Sequence, residues 1–268
     1  MEGAGNNGAR RDVLPEIEVR DLTMAFGSTV VMRDLNFAVR QHEIFIIMGG
    51  SGCGKSTLLR HLIGLQEPAA GEIRYRGVNF TRADGATREG MTRGFGVLYQ
   101  SNALWSSMTL AENVGLPLAE FTDLSPPEIR EIATLKLALV GLRGFEDYYP
   151  NEISGGMQKR AGVARAMALD PAILFFDEPS AGLDPISSRM LDDLILELRA
   201  SLGGTVVVVT HELASIFTIG DNCIFLDTET RTIGASGNPH ELLAQTDNPR
   251  VRQFLTRGGS ELAGGGRL

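Results

Sequence analysis

A strand, a glycine-rich loop and a helix follow one another near the start of the chain. The apolar run at residues 44–48 predicts a buried strand, residues 49–54 include four glycines, and residues 55–65 predict a helix that begins at Lys55. The apolar run is the buried strand that such a glycine-rich loop requires before its helix, and the three elements together belong to an α/β core. This unit restricts the chain to an α/β fold.

The second half of the chain continues the alternation of strand and helix. Residues 172–176 and 205–209 predict strands, while residues 185–201 and 212–219 predict helices. Such alternation predicts a parallel sheet covered by helices.

Other segments predict an early β region and a helical insertion. Residues 17–20 and 35–39 predict strands, and residues 95–99 predict a further strand. Residues 123–167 are mostly helical in character, with Ser125-Pro126-Pro127-Glu128 as the cap and first turn of a helix.

The glycine-rich loop has the composition of a phosphate-binding site. In such a loop, backbone N–H groups converge on phosphate oxygens, and the N-terminal end of the next helix adds positive potential. Lys55 adds a charge for the β and γ phosphates of a nucleotide, and Ser56 supplies a hydroxyl to Mg²⁺. The alternative is a glycine-rich turn without a ligand. The predicted nucleotide-binding residues of this loop are Gly49, Gly50, Ser51, Gly52, Cys53, Gly54, Lys55, Ser56 and Thr57.

Two acidic residues end the predicted strand at residues 172–176. Because the carboxyl ends of parallel strands face the ligand crevice, Asp177 suits Mg²⁺ binding and Glu178 suits a general base that activates water. The structural alternative is that both acids cap the turn before Pro179.

Two further polar residues follow predicted strands. His211 comes after the strand at residues 205–209 and is a candidate contact to the γ-phosphate of the nucleotide. Gln100 comes after the strand at residues 95–99 and is a candidate Mg²⁺ or water contact. In isolation, either side chain is an ordinary surface or packed residue.

A second glycine turn, Ser154-Gly155-Gly156-Met157-Gln158, opens a helix about one hundred residues after the first turn. A serine hydroxyl, glycine N–H groups and a helix N-terminus together form a second anion site. The phosphate chain of one nucleotide cannot occupy two such sites of one compact subunit. The second site is therefore predicted to contact a nucleotide held by another copy of the chain, and the alternative is an ordinary N-capped helix.

These motifs, in this order, resemble the motif set of ABC-type ATPases from about Glu16 to Gly237. The resemblance implies a P-loop ATPase fold with a parallel-sheet core, an N-terminal antiparallel β subdomain and a helical subdomain. It also implies ATP and Mg²⁺ as cofactors and a homodimer that hydrolyses ATP to drive transport. The implied catalytic residues are Glu178 and His211, and the implied Mg²⁺ contacts are Ser56, Gln100 and Asp177.

The composition of the two ends and the resemblance together predict a division of the chain, and the resemblance implies a dimer interface. Residues 1–14 are expected to be disordered, residues 15–246 to form the ATPase domain with its helical subdomain at about 101–168, and residues 247–268 to form a C-terminal helix and flexible tail. In that family, residues 154–158 of one subunit act in trans on ATP held by the other. The implied dimer seam is Ser180, Ala181, Gly182, Leu183 and Asp184.

Three positions depart from the commonest family pattern. Ile153 replaces leucine before the second glycine turn, and Met157 stands where glutamine is commonest. Since backbone groups and Ser154 supply most of the binding, we expect binding to be preserved. Phe26 stands where tyrosine is frequent, and it either stacks on adenine or belongs to the core.

Several segments resemble the ATPase of Mla-type phospholipid transporters. They are residues 101–114, 116–118, 122–124, 184–187 and 248–255. This resemblance implies phospholipid transport between the inner and outer membranes of Gram-negative bacteria, which maintains outer-membrane lipid asymmetry. The implied partners are a membrane permease, an Mce-domain lipid-binding subunit and a small STAS-domain protein. The chain would lie at the cytoplasmic face of the inner membrane, attached peripherally through the permease.

A short apolar group follows the candidate sensor Gln100. It consists of Ala103, Leu104, Trp105 and Met108. Such a group directly after a nucleotide sensor suits the docking of a permease helix. The alternative is ordinary packing within the helical insertion.

Composition and spacing argue against other classes of protein. A net charge of −8 and a pI near 5.1 argue against nucleic acid as a partner, and no stretch approaches the length of a membrane span. A chromosome-type ABC protein would need a long coiled coil between the two glycine turns, and a ribosome-type protein usually carries two ATPase domains. A small-molecule kinase would have no use for residues 154–158. An ABC ATPase with a different transport substrate, or one outside transport, stays an alternative.

Overall fold

A computed structural model describes residues 14–101 and 103–256 of the chain. The strands are β1 (Ile17–Phe26), β2 (Thr29–Val39), β3 (Ile44–Gly49), β4 (Ala70–Tyr75), β5 (Val78–Asn79), β6 (Phe95–Leu98), β7 (Ile173–Asp177), β8 (Thr205–Val209), β9 (Asn222–Asp227) and β10 (Thr232–Gly237). The helices are α1 (Lys55–Leu62), α2 (Gly85–Thr92), α3 (Leu110–Phe121), α4 (Pro126–Leu139), α5 (Gly155–Ala166), α6 (Pro185–Leu202), α7 (Leu213–Ile219), α8 (Pro239–Gln245) and α9 (Pro249–Thr256). The predictions for residues 1–13 and 257–268 lie outside the described residues.

The larger sheet has the strand order β10-β9-β3-β8-β7-β6, and only the β9–β10 pair is antiparallel. Every residue of β3, β7 and β8 is buried, which explains why these strands are continuous apolar runs in the sequence. The α/β fold with a parallel-sheet core is therefore confirmed. In register, Val209 lies beside both Ile47 and Asp177, so the loops after these three strands leave the sheet at one edge.

The smaller sheet is antiparallel, with the order β2-β1-β4-β5. Its strands β4 and β5 come after α1, so this sheet is not built from the N-terminal segment alone. The prediction for residues 17–20 covered less than half of β1, because bulges shift the pairing after Val19 and Asp21 has a φ of +48°. A bulge interrupts the apolar alternation from which a strand is predicted.

Some other element boundaries also differ from the sequence prediction. Helix α1 ends at Leu62 rather than residue 65, since Gly64 takes a φ of +79°. Glu212 is the N-cap of α7 rather than its first residue. Strand β10 was not predicted, since it contains two glycines and has little intrinsic β preference, and it forms by pairing with β9.

Helices α3, α4 and α5 pack together beside the larger sheet and form the helical region of the molecule. The N-terminus of α3 is fixed by a capping box between Thr109 and Glu112. Pro117 lies inside α3. Within the described ranges, no helix is long and apolar enough to cross a membrane.

Helix α6 packs against α7 through a buried hydrogen bond in which the Ser215 hydroxyl donates to Asp192 at 2.9 Å. Burial raises the pKa of Asp192 to about 6, above its ordinary value of 3.8, and the charge of Asp193 acts in the same direction. Because the folded state holds this proton more tightly, stability falls as the pH rises from about 4 through 6. The difference between the pKa values of 3.8 and about 6 corresponds to a loss of up to about 3 kcal/mol in the free energy of unfolding at higher pH.

We expect Asp192→Asn to raise the melting temperature at pH 8 by about 5 °C and to change it much less at pH 4.5. An asparagine oxygen still accepts the Ser215 hydrogen bond but carries no charge to desolvate. Thermal unfolding at the two pH values measures the effect. The neighbouring exposed Asp193 provides the control variant Asp193→Asn, and an equal effect of Asp192→Asn at both pH values would contradict the assignment.

Candidate functional site

The glycine-rich loop between β3 and α1 needs glycine for steric reasons at two positions. Gly49 has a φ of +153°, and a Cβ atom there would lie 2.6 Å from the sulfur of Cys53 and 2.9 Å from the carbonyl oxygen of Leu226. Gly54 has a φ of +96° and caps α1, where a Cβ atom would lie 3.0 Å from Val31. These two glycines therefore allow the chain to turn tightly from β3 into α1.

Lys55 lies across the mouth of this loop. Its ammonium group donates to the carbonyl oxygens of Gly49 at 3.0 Å and Gly50 at 3.1 Å. It also lies 3.8 Å from a carboxylate oxygen of Glu178. The side chain is largely buried, so this positive charge is held at the loop and is little screened by water.

Ser56, in the first turn of α1, and Asp177, the last residue of β7, come together in the structure. The Ser56 hydroxyl donates to the Asp177 carboxylate at 2.9 Å. Burial raises the pKa of Asp177, while the Ser56 hydrogen bond lowers it. Two oxygen ligands at this position fit Mg²⁺, which commonly takes one or two protein ligands and completes its shell with phosphate and water. No cluster of three or more His, Cys, Asp and Glu side chains forms a separate metal cage in the described part of the chain.

Glu178 points into the same region from a strained backbone position. Its φ is +48°, which is uncommon for a residue other than glycine, and its N–H donates to the Val209 carbonyl at 2.8 Å. The Nδ1 atom of His211 lies 2.8 Å from one carboxylate oxygen of Glu178 and 2.9 Å from the other. His211 is exposed, whereas Glu178 is buried, so the histidine covers the acid from the solvent side.

A cavity of about 460 Å³ brings most of the predicted residues together, but Gly49, Gly50, Cys53 and Asp177 are not among those that line it. Phe26 is 54% exposed and lines this cavity, so it does not belong to the core. Val31 also lines the cavity but was missed from the sequence, where an apolar residue in a strand gives no sign of a ligand contact. The lining residues are Phe26, Val31, Ser51, Gly52, Gly54, Lys55, Ser56, Thr57, Gln100, Glu178 and His211.

The second glycine turn does not reach this cavity. Ser154 caps α5 by accepting from the N–H of Met157 at 3.3 Å, and Ser154 and Gly155 are exposed. Gly156 packs so closely that a Cβ atom would lie 3.2 Å from Ser187 in the first turn of α6. None of residues 154–158 is among the described residues that line the cavity. The second glycine turn therefore faces outward, separate from the glycine-rich loop of its own chain.

Residues 180–184 connect β7 with α6. Leu183 packs partly on the core, Gly182 and Asp184 are exposed, and Ala181 is half-buried. Asp184 caps α6 by accepting from the N–H groups of Ile186 and Ser187, both at 3.0 Å. Ser180 is buried, and its hydroxyl has no hydrogen-bond partner among the described residues.

The apolar group after Gln100 divides into two kinds of residue. Leu104 packs partly against the core, and Met108 is half-buried. Ala103 is exposed, and Trp105 is 58% exposed. The backbone of Trp105 is held rigidly, because the buried Asn113 side chain accepts from its N–H at 2.7 Å and donates to its carbonyl at 3.0 Å. The structure therefore presents the indole ring to solvent on a fixed support.

A groove of about 440 Å³ lies beside this segment and was not predicted. We call it the Tyr99 groove. Arg165 connects it to the segment, because its guanidinium donates to the Ala103 carbonyl at 2.5 Å. Its residues come from β6 and three helices far apart in the sequence, so no local pattern indicates it. The residues that line the Tyr99 groove include Glu89, Arg93, Phe95, Tyr99, Pro117, Phe121 and Arg165.

A buried lysine in α5 is a third feature that was not predicted from the sequence. Lys159 of α5 is 4% exposed, and its ammonium group donates to the carbonyl oxygen of Gln100 at 2.6 Å. Burial lowers its pKa, while the charges of Asp177 and Glu178 raise it. In the sequence, Lys159 stands in a predicted helical segment that is rich in glycine and alanine. This pattern is not sufficient to predict that the lysine is buried.

Comparison with known proteins shows what the chain is similar to. Residues 32–181 match the family model described as ABC transporter. The chain is 42% identical over 239 residues to the "Probable ribonucleotide transport ATP-binding protein mkl" of Mycobacterium tuberculosis, which covers 89% of this chain but only 66% of the relative. It is 39% identical over 239 residues to the "Intermembrane phospholipid transport system ATP-binding protein MlaF" of Escherichia coli, which covers 89% of this chain and 88% of the relative.

Solved structures give the same comparison at the level of the fold. The dimeric ATP-binding cassette MJ0796, in a post-hydrolysis state bound to ADP and Pi, matches with a TM-score of 0.74 and 29% identity over 83% of this chain and 98% of that one. The protein cbiO1 of Clostridium perfringens, part of the ABC transporter complex cbiONQ, matches with a TM-score of 0.78 and 25% identity over 90% of this chain and 94% of that one.

Proposed function

The chain belongs to the ABC transporter family, and on that premise we propose that two copies of it hydrolyse ATP to drive transport through a membrane permease. One observation carries the proposal. The buried acid Glu178, Lys55 and the Ser56 hydroxyl line one cavity, and this hydroxyl is bonded to the Asp177 carboxylate, while the second glycine turn at Ser154 faces outward. The cavity suits binding and hydrolysis of Mg²⁺–ATP, and the outward site suits a nucleotide on a second copy.

Each residue has a role in this proposal. Lys55 and the loop N–H groups bind the β and γ phosphates. Ser56 and Asp177 would hold Mg²⁺, which would supply positive charge to neutralise the phosphates. Glu178 accepts the proton of the attacking water, and His211 orients Glu178 and contacts the γ-phosphate. Gln100 lines the same cavity and completes the Mg²⁺ and water contacts, and Phe26 stacks on adenine.

The proposal also assigns surfaces of the chain to its partner proteins. We place residues 180–184 at the seam between two copies, because the similar cassette MJ0796 is a dimer. Trp105 and the Tyr99 groove form the surface on which the permease docks. An Mce-domain subunit and a small STAS-domain protein complete the assembly, which holds the chain at the cytoplasmic face of the inner membrane.

For the substrate, we propose phospholipid moved between the inner and outer membranes to maintain lipid asymmetry. The Escherichia coli relative, whose length this chain covers almost fully, is named for intermembrane phospholipid transport. A second candidate is ribonucleotide transport, because the mycobacterial relative of 42% identity carries that name.

Reconstitution separates these candidates. The complex that co-purifies with the tagged chain from its host membranes is placed in vesicles with Mg²⁺–ATP, and transfer of a fluorescent phosphatidylethanolamine and uptake of a radiolabelled ribonucleoside monophosphate are measured. Phosphate release with lipid transfer supports the proposal. Phosphate release with uptake of the ribonucleotide but no lipid transfer would show that a ribonucleotide, not phospholipid, is the substrate. Purification of the tagged chain without any permease would refute the transport role.

We expect Trp105→Ala to weaken recovery of the permease with the tagged chain at least tenfold, since exposed aromatic anchors commonly carry much of an interface's affinity. Pull-down from detergent-solubilised membranes measures the recovery. Val78→Ala is the matched control, because Val78 is 50% exposed on the antiparallel sheet, away from the groove. Equal recovery with the two variants would contradict docking through Trp105.

A further inference from the structure

The segment that follows β6 is held by helix α5 rather than by the sheet that precedes it. Lys159 donates to the Gln100 carbonyl at 2.6 Å, and Arg165 donates to the Ala103 carbonyl at 2.5 Å. The donors lie on the helix that Ser154 caps, and the two acceptors lie three residues apart. Two cationic side chains of one helix therefore hold the backbone on which Gln100 sits.

The bond from Lys159 is strong for its surroundings. Lys159 is 4% exposed, so its charge has little competition from water, and a charged donor bonds a carbonyl more strongly than a neutral one. The carboxylates of Asp177 and Glu178 are the charges that favour its protonated form. The amine is thus bonded to the backbone of Gln100, and the charges of Asp177 and Glu178 favour its donor form.

This arrangement joins three parts of the molecule mechanically. The side chain of Gln100 lines the nucleotide cavity, and its carbonyl is bonded to Lys159. Lys159 lies five residues after Ser154 on a continuous helix of 12 residues. A helix transmits displacement along its axis because its hydrogen bonds resist bending. The Lys159 bond and helix α5 therefore form a continuous connection from Gln100 to Ser154.

We propose that Lys159 is a positioning residue that makes the outward anion site at Ser154 follow the nucleotide contact made by Gln100. Arg165 supports the same coupling at the other end of the segment. The proposal rests on the proposed function, since it assigns a further residue to that ATPase cycle. In this role, Lys159 affects the rate of ATP hydrolysis and the closure of the dimer. It does not affect the binding of nucleotide to the single subunit.

The test replaces Lys159 with methionine, which keeps the length and apolar stem but removes the donor and the charge. We expect the kcat for ATP hydrolysis to fall about tenfold or more, with the Kd for a fluorescent ATP analogue within about twofold of wild type. In a Glu178→Gln background, Lys159→Met should lower the fraction of ATP-induced dimer seen by size-exclusion chromatography. Lys159→Arg, which keeps a charged donor, should restore most of both properties.

Lys136→Met is the matched control. Lys136 is also a buried lysine of the helical region, but it pairs with Asp170. If Lys159 only stabilises the fold, the two methionine variants will lower the melting temperature and change kcat alike, which would overturn the proposal. A wild-type kcat and dimer fraction in Lys159→Met would also overturn it. Failure of the proposed function is a different result, in which the wild-type chain itself releases no phosphate.

Discussion

Replacing Glu178 with glutamine is expected to lower the rate of ATP hydrolysis by about 10²- to 10⁴-fold, while ATP binding is retained. Glutamine has nearly the same shape and still forms a hydrogen bond with Nδ1 of His211, which lies 2.8 Å from the acid. It cannot accept a proton from water at neutral pH. Since reopening follows hydrolysis, the variant should also accumulate a closed, ATP-bound dimer.

The measurements are steady-state phosphate release, ATP binding by equilibrium dialysis, and molecular mass with and without ATP. Glu212→Gln is the matched control, because Glu212 is an exposed acid that lies 3.7 Å from Nε2 of the same histidine. It should keep nearly normal turnover. If Glu178→Gln hydrolysed ATP at the wild-type rate, Glu178 would not be the general base.

The second large effect is expected from Ser154→Arg, which places a bulky cation on the outward anion site. Ser154 is exposed and lies outside the cavity formed by its own chain, so ATP binding to the single subunit should stay within about twofold of wild type. Turnover should fall at least 10²-fold, because the arginine removes the serine hydroxyl and blocks this turn from the phosphates held by a second copy. Ser125→Arg is the matched control, since Ser125 is an exposed N-cap serine of α4 in the same helical region.

Mixing two inactive variants tests whether the site acts between subunits. In a dimer of Lys55→Ala with Ser154→Arg, one composite site combines an intact loop with an intact second turn, and the other site carries both changes. Random mixing should then restore about a quarter of the wild-type rate, because half of the dimers are mixed and each has one intact site. No recovery would indicate that residues 154–158 act on the loop of their own chain.

Most of the site chemistry was predictable because it lies in contiguous segments. The loop that begins at Gly49, the two acids at the end of β7 and His211 each come where an apolar strand ends, and these strand ends meet at one sheet edge. The bulged strand β1 was predicted only in part, and β10 was not predicted. Their pairing depends on partners elsewhere in the chain, which a local pattern does not contain.

The sequence by itself determined the α/β fold and the identities of the phosphate loop, the acids and the second glycine turn, because these depend on short runs of residues with fixed backbone requirements. Only the tertiary structure decided that Phe26 lines the cavity, that Ser154 faces away from it, and that Lys159 holds the backbone of Gln100. These are contacts between residues distant in the chain, and their geometry is set by how the helices pack on the sheet.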